Sequence, residues 1–242
     1  TAGNTTTLGR IGTGYVYADW IGQIAYTTPN MNGFQATVGI TQPWTANTAL
    51  STTTVSSGSS GTNDEFGFQG QASYSWTGDF AGKVWVGGFS QNVENIEVDG
   101  SATGTSDTST AFEAGVSTSI YNINLVAYGY SGDGLGTTSL LGDAYDITGD
   151  ARDSDGGYVQ ATYVIPMGTK LGVSYGESKL DLASGEASNA LIKENEMLTI
   201  GAYHPLTKHL NLVAEYSDVE SKSHNGITAT SDIFSVGAIL FF

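Results

Sequence analysis

The sequence has no cysteine, only four prolines and no long apolar run. Without cysteine there is no disulfide framework and no thiolate metal site. No stretch approaches the roughly 18 consecutive apolar residues that a transmembrane helix requires. Leucine is scarce and helix-period apolar stripes are missing, which argues against a helical or α/β core. Basic residues are also few, 8 Lys and Arg against 24 Asp and Glu for a formal charge of −16, so a nucleic-acid footprint is absent. No basic and apolar leader stands at the start, so a signal peptide is expected to have been removed or to lie outside this sequence. Catalytic signatures are missing as well: there is no H-E-x-x-H, no phosphate-binding glycine loop, no Cys/His metal spacing and no G-x-S-x-G. No cofactor is implied.

What is present is alternation. From Phe234 every second residue (Phe234, Val236, Ala238, Leu240, Phe242) is apolar, and the sequence stops on an aromatic. Period-2 spacing places these side chains on one face of a strand, and about ten tilted residues suffice to cross a bilayer. Residues 65–76 show the same contrast. Phe66, Phe68, Gly70, Ala72, Tyr74 and Trp76 carry no polar side chain, whereas Glu65, Gly67, Gln69, Gln71, Ser73 and Ser75 carry no apolar one. Residues 110–120 and 209–217 repeat it, and weaker versions occupy 15–28, 34–44, 80–97, 122–131, 157–165, 170–181 and 195–204. The pattern predicts eleven strands. A chain that spans lipid without helices must close into a barrel, and 33 glycines, 13 tyrosines and many Ser and Thr fit strands joined by polar turns. A soluble sandwich or solenoid is the bland alternative, disfavoured by such regular alternation.

Connections are asymmetric. Short turns are expected near 29–33, 77–79, 121–122, 166–169 and 205–208, alternating with longer polar loops near 45–63, 98–108, 132–156, 182–194 and 218–227. Short periplasmic turns and long extracellular loops are the pattern of an outer-membrane barrel. Trp20, Tyr26, Trp44, Trp76, Phe80, Tyr163, Tyr203 and Phe242 fall near strand ends, where interfacial aromatic girdles sit.

The segment Gly9-Arg10-Ile11-Gly12-Thr13-Gly14-Tyr15, followed by Ile24 to Phe34 with its Tyr26-x-x-Pro29-x-x-x-Gly33-Phe34 turn, resembles the middle of Gram-negative general porins. Ser235, Gly237, Leu240 and Phe242 are similar to the terminal signal that the barrel assembly machinery reads in that family. The resemblance implies an outer-membrane, antiparallel, sixteen-strand β-barrel that assembles as a homotrimer among lipid and lipopolysaccharide and passes small hydrophilic solutes by diffusion. An odd strand count implies that this chain, read as a single barrel domain over 1–242, lacks N-terminal strands, since bacterial single-chain barrels have an even number. At about 22 residues per strand and loop, the shortfall is roughly 110 residues. Residues 1–12 would then be the exit of the constriction loop, with Arg10 facing the pore. A complete barrel of ten or twelve strands is the rival account.

Pore-lining candidates follow from the polar parity: Asp19, Glu65, Lys83, Glu113, Lys170 and Glu215 as charged groups, and Gln23, Gln69, Gln71 and Gln160 as neutral ones. The acid excess predicts cation preference. Acid is densest at Asp133, Asp143, Asp146, Asp150, Asp153 and Asp155. Asp150, Asp153 and Asp155 are weak calcium-ligand candidates, lacking the spacing and closing Glu of a calcium loop. A solvated acidic loop is the plainer reading. The competing functions are a plugged barrel acting as adhesin or structural protein, and a barrel-embedded hydrolase using one of His204, His209 and His224.

Overall fold

The computed structural model describes residues 22–42, 65–94, 96–98, 101–136 and 143–242. Eleven strands form one antiparallel sheet, hydrogen-bonded in chain order. They are β1 (Gln23–Thr27), β2 (Phe34–Thr41), β3 (Gly67–Trp76), β4 (Phe80–Val93), β7 (Asp107–Ile120), β8 (Ile123–Asp133), β9 (Asp153–Val164), β10 (Lys170–Leu180), β11 (Ile192–Thr207), β12 (Leu210–Ser223) and β13 (Thr228–Leu240). A small hairpin, β5 (Glu97–Val98) with β6 (Ser101–Ala102), lies within the connection from β4 to β7. No helix among the described residues is long and apolar enough to cross a membrane, a statement that leaves strands untouched.

The expected asymmetry is present, with its boundaries shifted. Tight turns join the strands at one end, and each has a local cause. At the β1–β2 turn Asn32 and Gly33 both take positive φ (54° and 98°), as a tight hairpin demands. The Asn30 side chain accepts from the Gly33 N–H at 2.7 Å. Any Cβ at Gly33 would stand 2.1 Å from the Ser75 carbonyl oxygen, so the neighbouring hairpin also requires glycine there. Tyr121 (φ 52°) and Asn122 alone connect β7 to β8. Pro205, expected in a turn, is inside β11, beside a register shift between Pro205 and Thr207 that accommodates its missing N–H.

At the other end most strands run farther than the alternation indicates, although β4 stops at Val93, short of the expected 97, and β10 at Leu180. β12 continues to Ser223 and β13 begins at Thr228, so the expected loop at 218–227 shrinks to the four residues 224–227. β7, β9 and β11 likewise start earlier, at Asp107, Asp153 and Ile192. Apolar side chains are few and out of phase in these extensions (Ile192, Val219, Ala229, Ile233), so the backbone ladder continues after the apolar contrast has faded. The expected strand at 15–28 is described only as β1; residues 15–21 lie outside the described residues, as do Trp20, Trp44 and the whole of the expected loop at 45–63.

One apolar cluster is buried: Phe89, Val93, Ile96, Ala111, Tyr130, Leu135, Ala144 and Tyr145. Phe89, Val93, Ala111 and Tyr130 belong to strands, whereas Ile96, Leu135, Ala144 and Tyr145 come from connections. The cluster therefore packs loops onto the sheet.

Candidate functional site

The register divides the side chains between two faces. Neighbours across an antiparallel pair share a face. Following the partners gives an apolar rung Val38–Gly70–Gly88–Phe112 and, on alternate residues, polar ones such as Ser75–Lys83–Ser117. The apolar face is open to the surroundings: Ile24 is 75% exposed, Phe68 62%, Phe112 58% and Val236 73%. Water would not leave so many large apolar groups uncovered; hydrocarbon would. Tyr26, Phe80 and Tyr163 sit exposed near strand ends, as girdle residues do. Tyr203 does not. It lies on the polar face, where its hydroxyl donates to Glu215 and its ring covers Gly201.

The polar face carries the sequence-predicted candidates that the structure describes. Gln69 donates through Nε2 to Gln23 Oε1 at 2.9 Å. Gln71 Nε2 donates to Glu113 Oε1 at 3.1 Å, and the Tyr128 hydroxyl donates to Glu113 Oε2 at 2.7 Å. Glu113 and Glu215 are both buried, each with a tyrosine hydroxyl donating to it. Lys83 lies between Ser75 and Ser117, Gln160 between Val126 and Ser174, and Lys170 between Val164 and Tyr203. Glu65 is exposed just ahead of β3. Arg10 and Asp19 lie outside the described residues, as does the rest of the segment 1–12. Of the terminal signal, Ser235 pairs with Glu215 and Gly237 with Val213 on the polar face. Leu240 pairs with Leu210 and is exposed, and Phe242 is exposed beyond the strand end.

The described parts of the connection between β8 and β9, residues 134–136 and 143–152, do not form the solvated acidic loop that the composition suggests. They pack onto the polar face of β4, β7 and β8 and are fastened there. Ser109 Oγ donates to the Gly134 carbonyl at 2.7 Å and accepts from the Tyr145 hydroxyl at 2.6 Å. Burial pushes the Tyr145 phenol above its ordinary value. A tight turn is closed by Asp146, whose Oδ1 accepts from Thr148 N and Oγ1 and from Asp150 N at 2.7 to 2.9 Å. Burial acts to raise the Asp146 carboxyl, yet these bonds and the nearby Arg152 charge bring it below the usual carboxylate range. Asp150, Asp153 and Asp155 do not converge: Asp150 serves this turn, and Asp153 and Asp155 are paired with Asp133 and Ser131 along β9. Among the described residues no three acidic or imidazole side chains are grouped to hold a metal ion.

A second connection, 181–191, locks onto the first. Arg152 donates from Nε to Glu186 Oε2 at 2.8 Å and from Nη2 to Oε1 at 2.7 Å, and its Nη1 donates to the Asp143 carbonyl at 3.0 Å. Glu186 also accepts from Ala183 N and Asn189 Nδ2. Burial would raise the Glu186 carboxyl, but the Arg152 bond and these donors together lower it. His224, in the β12–β13 turn, abuts the same loop: its N–H donates to the Leu191 carbonyl and its carbonyl accepts from Ser188. Burial depresses its imidazole. Sequence reasoning missed Arg152, Glu186 and Tyr145, since no local pattern marks a loop that folds back. It also missed the rings of Trp85, Tyr128 and Tyr158, although each stands at a polar-face position of its strand, and that parity could have found them.

An antiparallel sheet with an exposed apolar face and a polar face, tight turns at one end and folded loops at the other, defines an outer-membrane β-barrel protein. A family model described as Gram-negative porin (Porin_4) matches residues 1–224. The chain belongs to that family: it is an outer-membrane channel protein, not an enzyme. Solved structures share the fold. The outer membrane channel DcaP of Acinetobacter baumannii superposes with a TM-score of 0.71 at 14% identity, over 99% of this chain and 70% of that one. An anion-selective porin from Comamonas acidovorans gives 0.52 at 14% identity, over 90% and 57%. A loop L8 deletion mutant of OmpT, an outer membrane protein of Vibrio cholerae, gives 0.54 at 16%, over 95% and 70%. No curated protein matches the chain.

Proposed function

We propose that the polar face is the wall of a water-filled pore that passes ions and small hydrophilic solutes by diffusion, with a preference for cations. The observation that carries this reading is the continuity of the two faces across all eleven strands, one apolar and exposed, the other dense in Gln, Ser, Thr and isolated charges. Gln23, Gln69, Gln71, Lys83, Glu113, Gln160, Lys170 and Glu215 line the pore, and Glu65 stands at its mouth. The cation preference rests on the acid-rich loops at that mouth, where a single-sign potential enriches counterions. Lys83 and Lys170 oppose it from near the tight-turn end of the wall.

Closure of the sheet belongs to the same proposal. β1 and β13 are the two edges of the sheet, without a strand partner on their outer sides among the described residues. An open edge is not tolerated in lipid, which supports a barrel closed by further strands; the total of sixteen rests on the porin resemblance. Assembly as a homotrimer, recognition of Ser235, Gly237, Leu240 and Phe242 by the barrel assembly machinery, and contact of the apolar face with lipid and lipopolysaccharide belong to the same reading. Reconstitution of the full-length protein into planar bilayers tests it. Stepwise conductance in groups of three, with a reversal potential of cationic sign in a salt gradient, is the expected result. A folded but silent protein would favour a plugged barrel.

A further inference from the structure

A rung of aromatic rings crosses the polar wall. Trp85 of β4 and Tyr128 of β8 are both register partners of Gly115 in β7, and Tyr128 is the partner of Tyr158 in β9. Gly115 makes room for this arrangement: a Cβ there would lie 2.2 Å from Trp85 Cζ2, so the indole rests across the glycine. The Trp85 and Tyr128 rings are 6.5 Å apart between centroids at 23°, and Tyr128 and Tyr158 are 5.5 Å apart at 32°. All three side chains are half-buried and keep exposed surface. One rung nearer the mouth, Gln71 and Glu113 are held in fixed orientation, Glu113 accepting from both Gln71 and Tyr128.

A wall that only had to hold water would be better served by small hydroxyls, as at the rung Ser75–Lys83–Ser117. Clustered, part-exposed rings beside a preorganised amide and carboxylate are instead the composition of a ligand site, apolar faces with a few convergent polar groups. The geometry points to a saccharide subsite within the pore, a conclusion that rests on the channel reading above. The C–H face of a pyranose ring would lie on Tyr158 and Tyr128, and its hydroxyls would bond the exposed Gln71 amide, which the buried Glu113 holds in place. Glu113 is the charged group nearest the rings, which disfavours an anionic aromatic solute in the same place.

The test is current block in planar bilayers with the full-length protein, comparing maltotriose with sorbitol, an open-chain polyol, and with benzoate. Maltotriose is expected to interrupt the current at concentrations where sorbitol and benzoate do not. Tyr158→Ala is expected to raise the half-blocking concentration about threefold to tenfold, the worth of one ring contact, whereas Tyr158→Phe keeps the block close to the original. Equal block by sorbitol or benzoate would overturn the assignment, as would an unchanged half-blocking concentration in Tyr158→Ala. The comparison of solutes on the unaltered protein decides the matter even where the alanine variant fails to fold. Conductance without any maltotriose block refutes the subsite and leaves the channel standing; absence of conductance in folded protein refutes both.

Discussion

Arg152 and Glu186 form a two-bonded ion pair, at 2.8 and 2.7 Å, between two connections at the same end of the barrel. Their side chains are 4% and 11% exposed, so the pair is shielded from water. Residues 143–152 are thus pinned to the wall through Tyr145 and to the neighbouring connection through Arg152.

Removing one partner leaves the other charge buried without compensation, which typically costs about 3–5 kcal/mol. Arg152→Ala and Glu186→Ala should therefore release both loops while the transmembrane strands stay paired. Limited proteolysis checks this, with new cleavage expected within 134–152 and 181–191, and noisier open-channel current. Tyr145→Phe removes only the bond to Ser109 and should have a smaller effect, about 1 kcal/mol.

Acid should loosen the mouth in two stages. His224 is held below its ordinary value of 6.5 by burial, so the unfolded loop binds more protons than the folded one as pH falls past that value. Its contribution is fully present above pH 6.5 and declines below it. Glu186 and Asp146 are lowered as well, and as carboxylates they contribute stability above their unfolded values of 4.5 and 3.8 that is lost as pH falls through the still lower folded ones. Hydrogen exchange of residues 143–152 and 181–191 across pH 7 to 3 should show the two steps, and His224→Gln should abolish the first.

Face assignment is tested by charge. Val236→Arg places a guanidinium against lipid, where such a substitution near the midplane costs about 2–4 kcal/mol. Ser235→Arg, one residue earlier, points to the polar face beside Glu215 and should be tolerated far better. Unfolding from detergent or lipid, measured side by side, should rank Val236→Arg as much the less stable.

Two glycines separate packing from recognition. Gly115→Ala collides with the Trp85 ring and should destabilise the barrel by about 1–3 kcal/mol. At Gly237 an added Cβ meets nothing within 4 Å, so Gly237→Ala should refold normally in detergent. If the assembly machinery reads this position, the same variant should reach the outer membrane poorly in cells. Heat-modifiable mobility in cell envelopes, compared with refolding in vitro, checks both.

How much of this was legible beforehand depends on where polar and apolar side chains alternate. β3 shows it best: from Phe66 to Trp76 each face is pure, and the structure keeps the predicted parity at every position. Along 218–232 the few apolar side chains, among them Val219 and Ala229, fall on the polar-face parity, so alternation is silent although backbone pairing from Asp218–Asp232 to Lys222–Thr228 continues unbroken. Among the site residues, Gln71 and Glu113 were recoverable from parity alone, and their mutual bond was not, since it depends on a register between strands 42 residues apart. The inward loop was least legible. Its acidic composition speaks for solvation, and among its described residues Leu135, Ala144 and Tyr145 supply the apolar burial that fixes it to the wall.

If the polar face lines a conducting, cation-preferring pore, its charge must govern which ions pass. The most direct measurement is the reversal potential of the full-length protein in a planar bilayer under a potassium chloride gradient, with Lys83→Glu alongside. Conductance with a potential of cationic sign, strengthened in Lys83→Glu, is the predicted result. A protein that is folded, inserted and silent, or one whose selectivity does not respond to Lys83, would contradict it.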